Sequence, residues 1–266
     1  MKKTLSVILA VIMLVSVCIT GAYADDEKLN YLLLGDSIAH GAGVLNSGEA
    51  CYGRMVANTN GYNYINDSIN GQRSNNLLST LNNSKVINDI KNADIISISI
   101  GGNDYLKSNF FKLLFCSFFG YEEPFREIQK NFLDNFSAII AKIKSANPDA
   151  LILVQTVYNM RFDFIKPANE IGSKFLNEVF ENYLEENPGS YVIVDVASAL
   201  HGRSDCLAID TIHPNGKGNI VIAGCVLETL KNEGLGTATE PVILEKPIEQ
   251  YEFALLPIIK LFEAIN

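Results

Sequence analysis

Gly35-Asp36-Ser37 and, far along the chain, Asp210-Thr211-Ile212-His213 together hold the three side chains that acyl transfer needs. A serine hydroxyl is a weak nucleophile until a neutral imidazole takes its proton. That imidazole in turn needs a carboxylate to fix its tautomer and favour its protonated form. Ser37, His213 and Asp210 are the candidates for these roles, in a chain with three histidines. Asp210 stands three residues before His213 and reaches the same side of one tight turn. Pro214 then opens a helix that fixes the corner. Charge developing on a carbonyl oxygen calls for donors already aimed at it. The backbone N–H of Ser37, that of Gly71, and the neutral side-chain amide of Asn103 in Gly101-Gly102-Asn103-Asp104 are suited to that oxyanion hole. Asp195, at the end of an apolar run, is the rival carboxylate, and its distance along the chain from His213 counts against it. His40 and His201 have no carboxylate at comparable spacing and read as non-catalytic. Gly41-Ala42-Gly43 lacks the third glycine and the lysine of phosphate loops, so it reads as a loop over the nucleophile.

These residues need a frame. Short apolar runs predict strands over Asn30–Gly35, Tyr62–Ile65, Asp94–Ile100, Ala150–Thr156 and Tyr191–Val196. Helical patterns fill the intervals: Cys51–Asn58, Asn75–Asn92 with a break at Asn82-Asn83, Tyr121–Ala146, Ala168–Glu186 and Asn215–Asn232. Asn147-Pro148 and Asn187-Pro188-Gly189 stop two of them. Strands separated by crossovers imply a parallel five-stranded sheet with helices on both faces, a three-layer α/β/α sandwich. Functional groups in such sheets gather beyond the carboxyl ends of the strands, where each of the segments above falls. No linker divides the sequence into two domains.

The blocks Gly35-Asp36-Ser37, Gly71, Gly101-Gly102-Asn103-Asp104 and Asp210-Thr211-Ile212-His213 follow one another in an order that resembles the SGNH hydrolases, also called GDSL esterases and lipases. The likeness runs from Tyr31 to about Glu233. It implies a flavodoxin-like fold and a Ser-His-Asp mechanism on ester bonds, with no metal and no organic cofactor. The first block reads Gly-Asp-Ser-Ile where the family name has leucine, a conservative departure.

Lys2 and Lys3, the apolar run Leu5–Ile19 and Ala22-Tyr23-Ala24 predict a signal peptide over residues 1–24, cleaved after Ala24, and hence a secreted protein. Val17 before Cys18 does not fit a lipoprotein signal. The hydrolase domain is then expected over residues 25–235, with a C-terminal extension over 236–266 packed on it. Hydrophobic residues make up 48% and charged residues 19%, as in a chain with a packed core. The net charge of −9 repels a phosphate backbone, so a nucleic-acid partner is not expected. Cys51, Cys116, Cys206 and Cys225 lie at no metal-ligand spacing; buried thiols and a disulfide both stay open.

The stretch Leu106–Phe119 carries five phenylalanines directly after the Asn103 block. Its bland reading is another core helix. The alternative is an acyl-binding wall or lid, in which Phe110, Phe115 and Phe118 contact the chain of a lipid or medium-chain ester. That reading favours lipase or lysophospholipase activity over its nearest rival, a carbohydrate O-acetylesterase, and leaves room for transient contact with a membrane surface. A non-catalytic binding module on the same fold would have no need of the Ser37, Gly71, Asn103, Asp210 and His213 set.

Overall fold

Five short apolar strands form the centre of the computed structural model, which describes residues 28–108, 110–159 and 166–250, without the side chains of Phe110, Phe111, Lys166 and Pro167. The expected signal peptide and most of the apolar run Ile248–Ile265 lie outside the described residues. The strands are β1 (Asn30–Gly35), β2 (Asn63–Asn66), β3 (Ile95–Ser99), β4 (Leu151–Gln155) and β5 (Val192–Val194). They pair in parallel in the order β2-β1-β3-β4-β5, with Leu32 opposite Ile65 and Ile96, and Leu153 opposite Val192.

Eleven α-helices lie among the described residues: α1 (Ser37–His40), α2 (Ser47–Ala50), α3 (Tyr52–Asn60), α4 (Ser74–Thr80), α5 (Ser84–Asn92), α6 (Gly102–Leu106), α7 (Phe110–Phe119), α8 (Glu123–Ala146), α9 (Lys166–Glu186), α10 (Val196–Leu200) and α11 (Gly216–Asn232). Alternate strand residues point to opposite faces. Leu32, Leu34, Ile96, Ile98, Ile152 and Val154 pack on one side against Leu77 of α4, Ile90 of α5, Phe136 of α8 and Phe180 of α9. Tyr31, Leu33, Leu153 and Val194 pack on the other against Met55 and Val56 of α3 and Val226 and Leu227 of α11. The result is the three-layer sandwich that the alternation of runs requires.

One expectation changes at its edge and another is met. The fifth strand is shorter than Tyr191–Val196, because the Asp195 carboxylate accepts from Ser198 N at 3.1 Å and caps α10, which ends the extended backbone. The break expected at Asn82-Asn83 separates α4 from α5, and the Asn83 side chain caps α5 through Lys85 N at 2.9 Å. Cys51, Cys116, Cys206 and Cys225 are all free thiols.

Candidate active site

At the end of β1 the chain turns sharply into α1. Gly35 has φ 121°, and a Cβ there would lie 1.9 Å from the Ser99 carbonyl oxygen, so only glycine lets β1 end against β3 in this way. Asp36 follows, with its N–H on Ser99 O at 2.9 Å and its side chain accepting from Ile38 N at 3.0 Å and Ser99 Oγ at 3.2 Å. The carboxylate thereby caps α1 and holds Ser37 at the first helical position, facing the space above the sheet.

Ser37 Oγ lies 2.9 Å from His213 Nε2, and His213 Nδ1 lies 2.6 Å from Asp210 Oδ2. The other carboxylate oxygen accepts from Ile212 N at 2.9 Å and His213 N at 3.0 Å, which winds residues 210–213 into a tight loop. That winding puts Thr211 at φ 62°, the left-handed region that a β-branched residue rarely occupies, so the loop carries local strain. Burial pushes the Asp210 carboxyl up, but the hydrogen bonds from the His213 ring and from the two backbone N–H groups outweigh it and hold the group below the usual carboxylate range. Asp210 is therefore an anion beside the imidazole.

The loops of Gly71 and Asn103 are tied together. Asp104 accepts from Ser74 N at 2.9 Å, supplying the cap that the first turn of α4 otherwise lacks, and Lys107 Nζ donates to Gly71 O at 2.5 Å. Ser37, Gly71, Asn103 and His213 all line one cleft of about 260 Å³. Ile38, Ile100, Leu106, Val157, Val196 and Ile212 make its walls apolar.

Some sequence candidates lie elsewhere. Asp195 is the cap of α10, not a partner of His213. His40 ends α1 and His201 follows α10, while the ring on Asp210 is that of His213. Phe115 and Phe118 are absent from the cleft lining and exposed on α7, and the Phe110 side chain lies outside the described residues. The residues that line the cleft come instead from the strand ends and loops named above. Leu106 ends α6 and Phe110–Phe119 forms α7, which packs on α8 and α9.

Several supporting residues were not visible in the sequence. The buried Tyr158 hydroxyl donates to Ile212 O, pinning the loop that carries His213; its place three residues beyond β4 is the one signal that points to it. Glu249 accepts from Gly216 N at 2.9 Å at the start of α11, while Ile248 O accepts from Leu45 N at 2.9 Å and Gln250 Nε2 donates to Ala42 O at 2.9 Å. Residues 248–250 thus bind the loop after Ser37 and the helix after His213 at once. Gly43 packs so closely on Pro214 that a Cβ would lie 1.8 Å from the Pro214 carbonyl oxygen.

Asp36 gives the site a pH dependence. Its burial raises the carboxyl from 3.8 to about 7, against the hydrogen bonds from Ile38 and Ser99. The folded chain then keeps a proton that the unfolded chain loses, so the stability owed to this group falls as pH rises through that window and levels off above it. Asp36→Asn keeps an acceptor for Ile38 N and removes the titration. Its melting temperature is expected to rise relative to wild type between pH 5 and pH 8, by the equivalent of about 2 to 3 kcal/mol. A difference independent of pH would show that Asp36 does not titrate there.

The chain is similar to known proteins. Protein YpmR of Bacillus subtilis is 30% identical over 223 residues, covering 79% of this chain and 84% of its own. The spore germination lipase LipC of Bacillus licheniformis is 28% identical over 200 residues, covering 71% of this chain and 91% of its own. Among solved structures, the lipase Lip_vut3 from a goat rumen metagenome superposes with a TM-score of 0.63 at 26% identity, covering 79% of this chain and 99% of that one. The family model described as GDSL-like Lipase/Acylhydrolase matches residues 33–220, from within β1 to the first turn of α11. The chain belongs to the GDSL-like lipase/acylhydrolase family and is a carboxylic ester hydrolase.

Proposed function

We propose that this protein is a secreted serine esterase that cleaves acyl esters of lipids through an acyl-enzyme on Ser37. In this reading Ser37 Oγ attacks the ester carbonyl while His213 Nε2 takes its proton, and the Asp210 anion stabilises the imidazolium formed. The tetrahedral oxyanion is met by the N–H groups of Ser37 and Gly71 and by the Asn103 amide. His213 then protonates the leaving alcohol, and a water molecule, deprotonated by the same ring, releases the acid and restores Ser37.

The observation that carries this reading is the unbroken Ser37–His213–Asp210 relay, with contacts of 2.9 and 2.6 Å, at the mouth of an apolar cleft. The apolar walls favour a hydrocarbon acyl group over an acetylated sugar, since each buried methylene contributes about 0.8 kcal/mol. A fluorophosphonate should label Ser37, and rates on aryl esters should climb from acetyl to octanoyl. Faster turnover of acetyl-xylan than of any longer acyl ester would replace the lipid reading with the carbohydrate one. Secretion rests on the segment from Lys2 to Ala24, and the mature chain recovered from culture medium should begin at Asp25.

The role assigned to Asn103 has its own test. Asn103→Ala should lower the turnover number by about a hundred- to a thousand-fold with a smaller change in the Michaelis constant, because its donor matters most to the transition state. A rise in the Michaelis constant alone would make Asn103 a ground-state contact.

A further inference from the structure

Helix α7 is apolar on both sides but buries one. Leu113 and Cys116 face inward, whereas Phe115, Phe118 and Phe119 are 58, 61 and 64% exposed. The three exposed rings stand at the i, i+3, i+4 spacing of a single helix face, and the rings of Phe115 and Phe119 are 4.6 Å apart. Tyr121, just past the helix, is exposed as well. A helix that is apolar all round belongs inside something, and a clustered aromatic face left in water marks a contact surface.

The place and charge of this face say what it meets. Helix α7 follows α6 in the chain, and α6 carries Asn103 in its first turn and the cleft-lining Leu106 at its end. Exposed Ile69 and Ile209 stand beside the Gly71 and Asp210 loops at the same carboxyl edge of the sheet. From Leu106 to Tyr121 the sequence has no aspartate or glutamate and two lysines, Lys107 and Lys112, in a chain of net charge −9. Clustered phenylalanine rings beside an exposed tyrosine, with no acidic residue among them, suit the boundary between acyl chains and head groups. A symmetric contact between two copies would instead bring Lys112 of one face toward Lys112 of the other.

We propose that the outer face of α7 seats the enzyme on a phospholipid surface, with the cleft mouth turned toward the layer from which the ester is drawn. This rests on the reading of the substrate as a lipid ester. Binding is therefore measured in Ser37→Ala protein, where hydrolysis plays no part. Co-sedimentation with phosphatidylcholine vesicles is expected to fall at least tenfold when Phe115→Ser, Phe118→Ser and Phe119→Ser are combined. With Ser37 intact, the same triple change should leave turnover of a dissolved acetyl aryl ester unaltered. Loss of that turnover in both the parent and the variant would count against the esterase reading and not against the surface.

The chain has no tryptophan, so Phe118→Trp places a single reporter on the face without changing its character. Its emission should shift to the blue on adding vesicles and be quenched by brominated acyl chains, even if the serine variant fails to fold. Equal sedimentation of parent and variant, or an emission that ignores the vesicles, would overturn the proposal. So would a dimer in sedimentation velocity that the triple change dissolves. A chain ended after Gln250 that binds vesicles more tightly would point to residues 251–266 as the occupant and overturn it also.

Discussion

Ser37→Ala is expected to abolish ester hydrolysis, with a loss in turnover on the order of a million-fold, while the protein melts within a few degrees of wild type. Removing Oγ deletes the atom that becomes acylated, so no neighbouring group can substitute for it. The structural cost is small because the backbone turn at this position is held by Gly35 and by the Asp36 cap, neither of which uses the serine side chain. The lost contact is the 2.9 Å hydrogen bond to His213, whose ring stays anchored to Asp210. Fluorophosphonate labelling should vanish together with turnover. Purified Ser37→Ala protein that hydrolyses esters at the wild-type rate would remove Ser37 from the mechanism altogether.

Asp210→Asn has the second largest expected effect, about ten-thousand-fold in turnover. The carboxylate accepts from two backbone N–H groups through Oδ1 and from the His213 ring through Oδ2. An asparagine that keeps its carbonyl on the two backbone donors turns its NH₂ toward Nδ1. That nitrogen must then accept, which leaves the proton on Nε2 and removes the acceptor that Ser37 needs. The loop is retained while the tautomer is lost, so the change should appear in turnover with little movement in melting temperature. A variant of near wild-type turnover would show that the Asp210 carboxylate does not set the His213 tautomer.

How much of this was legible differs by element. The apolar runs ending in Gly35 and Ser99 announce themselves because buried parallel strands need nearly continuous apolar sequence, and functional groups at their ends sit next to them in the chain. The Asp210–His213 contact is likewise local, three residues apart. Glu249 on Gly216 and Tyr158 on Ile212 are not, and no pattern in either segment reports a contact 33 or 54 residues away. The stretch around Phe115 misleads for a different reason. Its composition is apolar throughout, so periodicity cannot show which rings face inward, and only packing on α8 and α9 separates Leu113 and Cys116 from Phe115, Phe118 and Phe119.

The segment that binds both the Ala42–Leu45 loop and Gly216 holds by a few backbone and side-chain hydrogen bonds at the protein surface, with exposed Val242, Ile243 and Leu244 just before it. Such a segment belongs to the low free-energy end of local opening, well below the sheet. Its amides should exchange with deuterium early, ahead of those in β1 and β3. Each opening would release the loop beyond the nucleophile from the helix beyond the histidine while every strand remains paired. On warming, the enzyme should stop working before it unfolds.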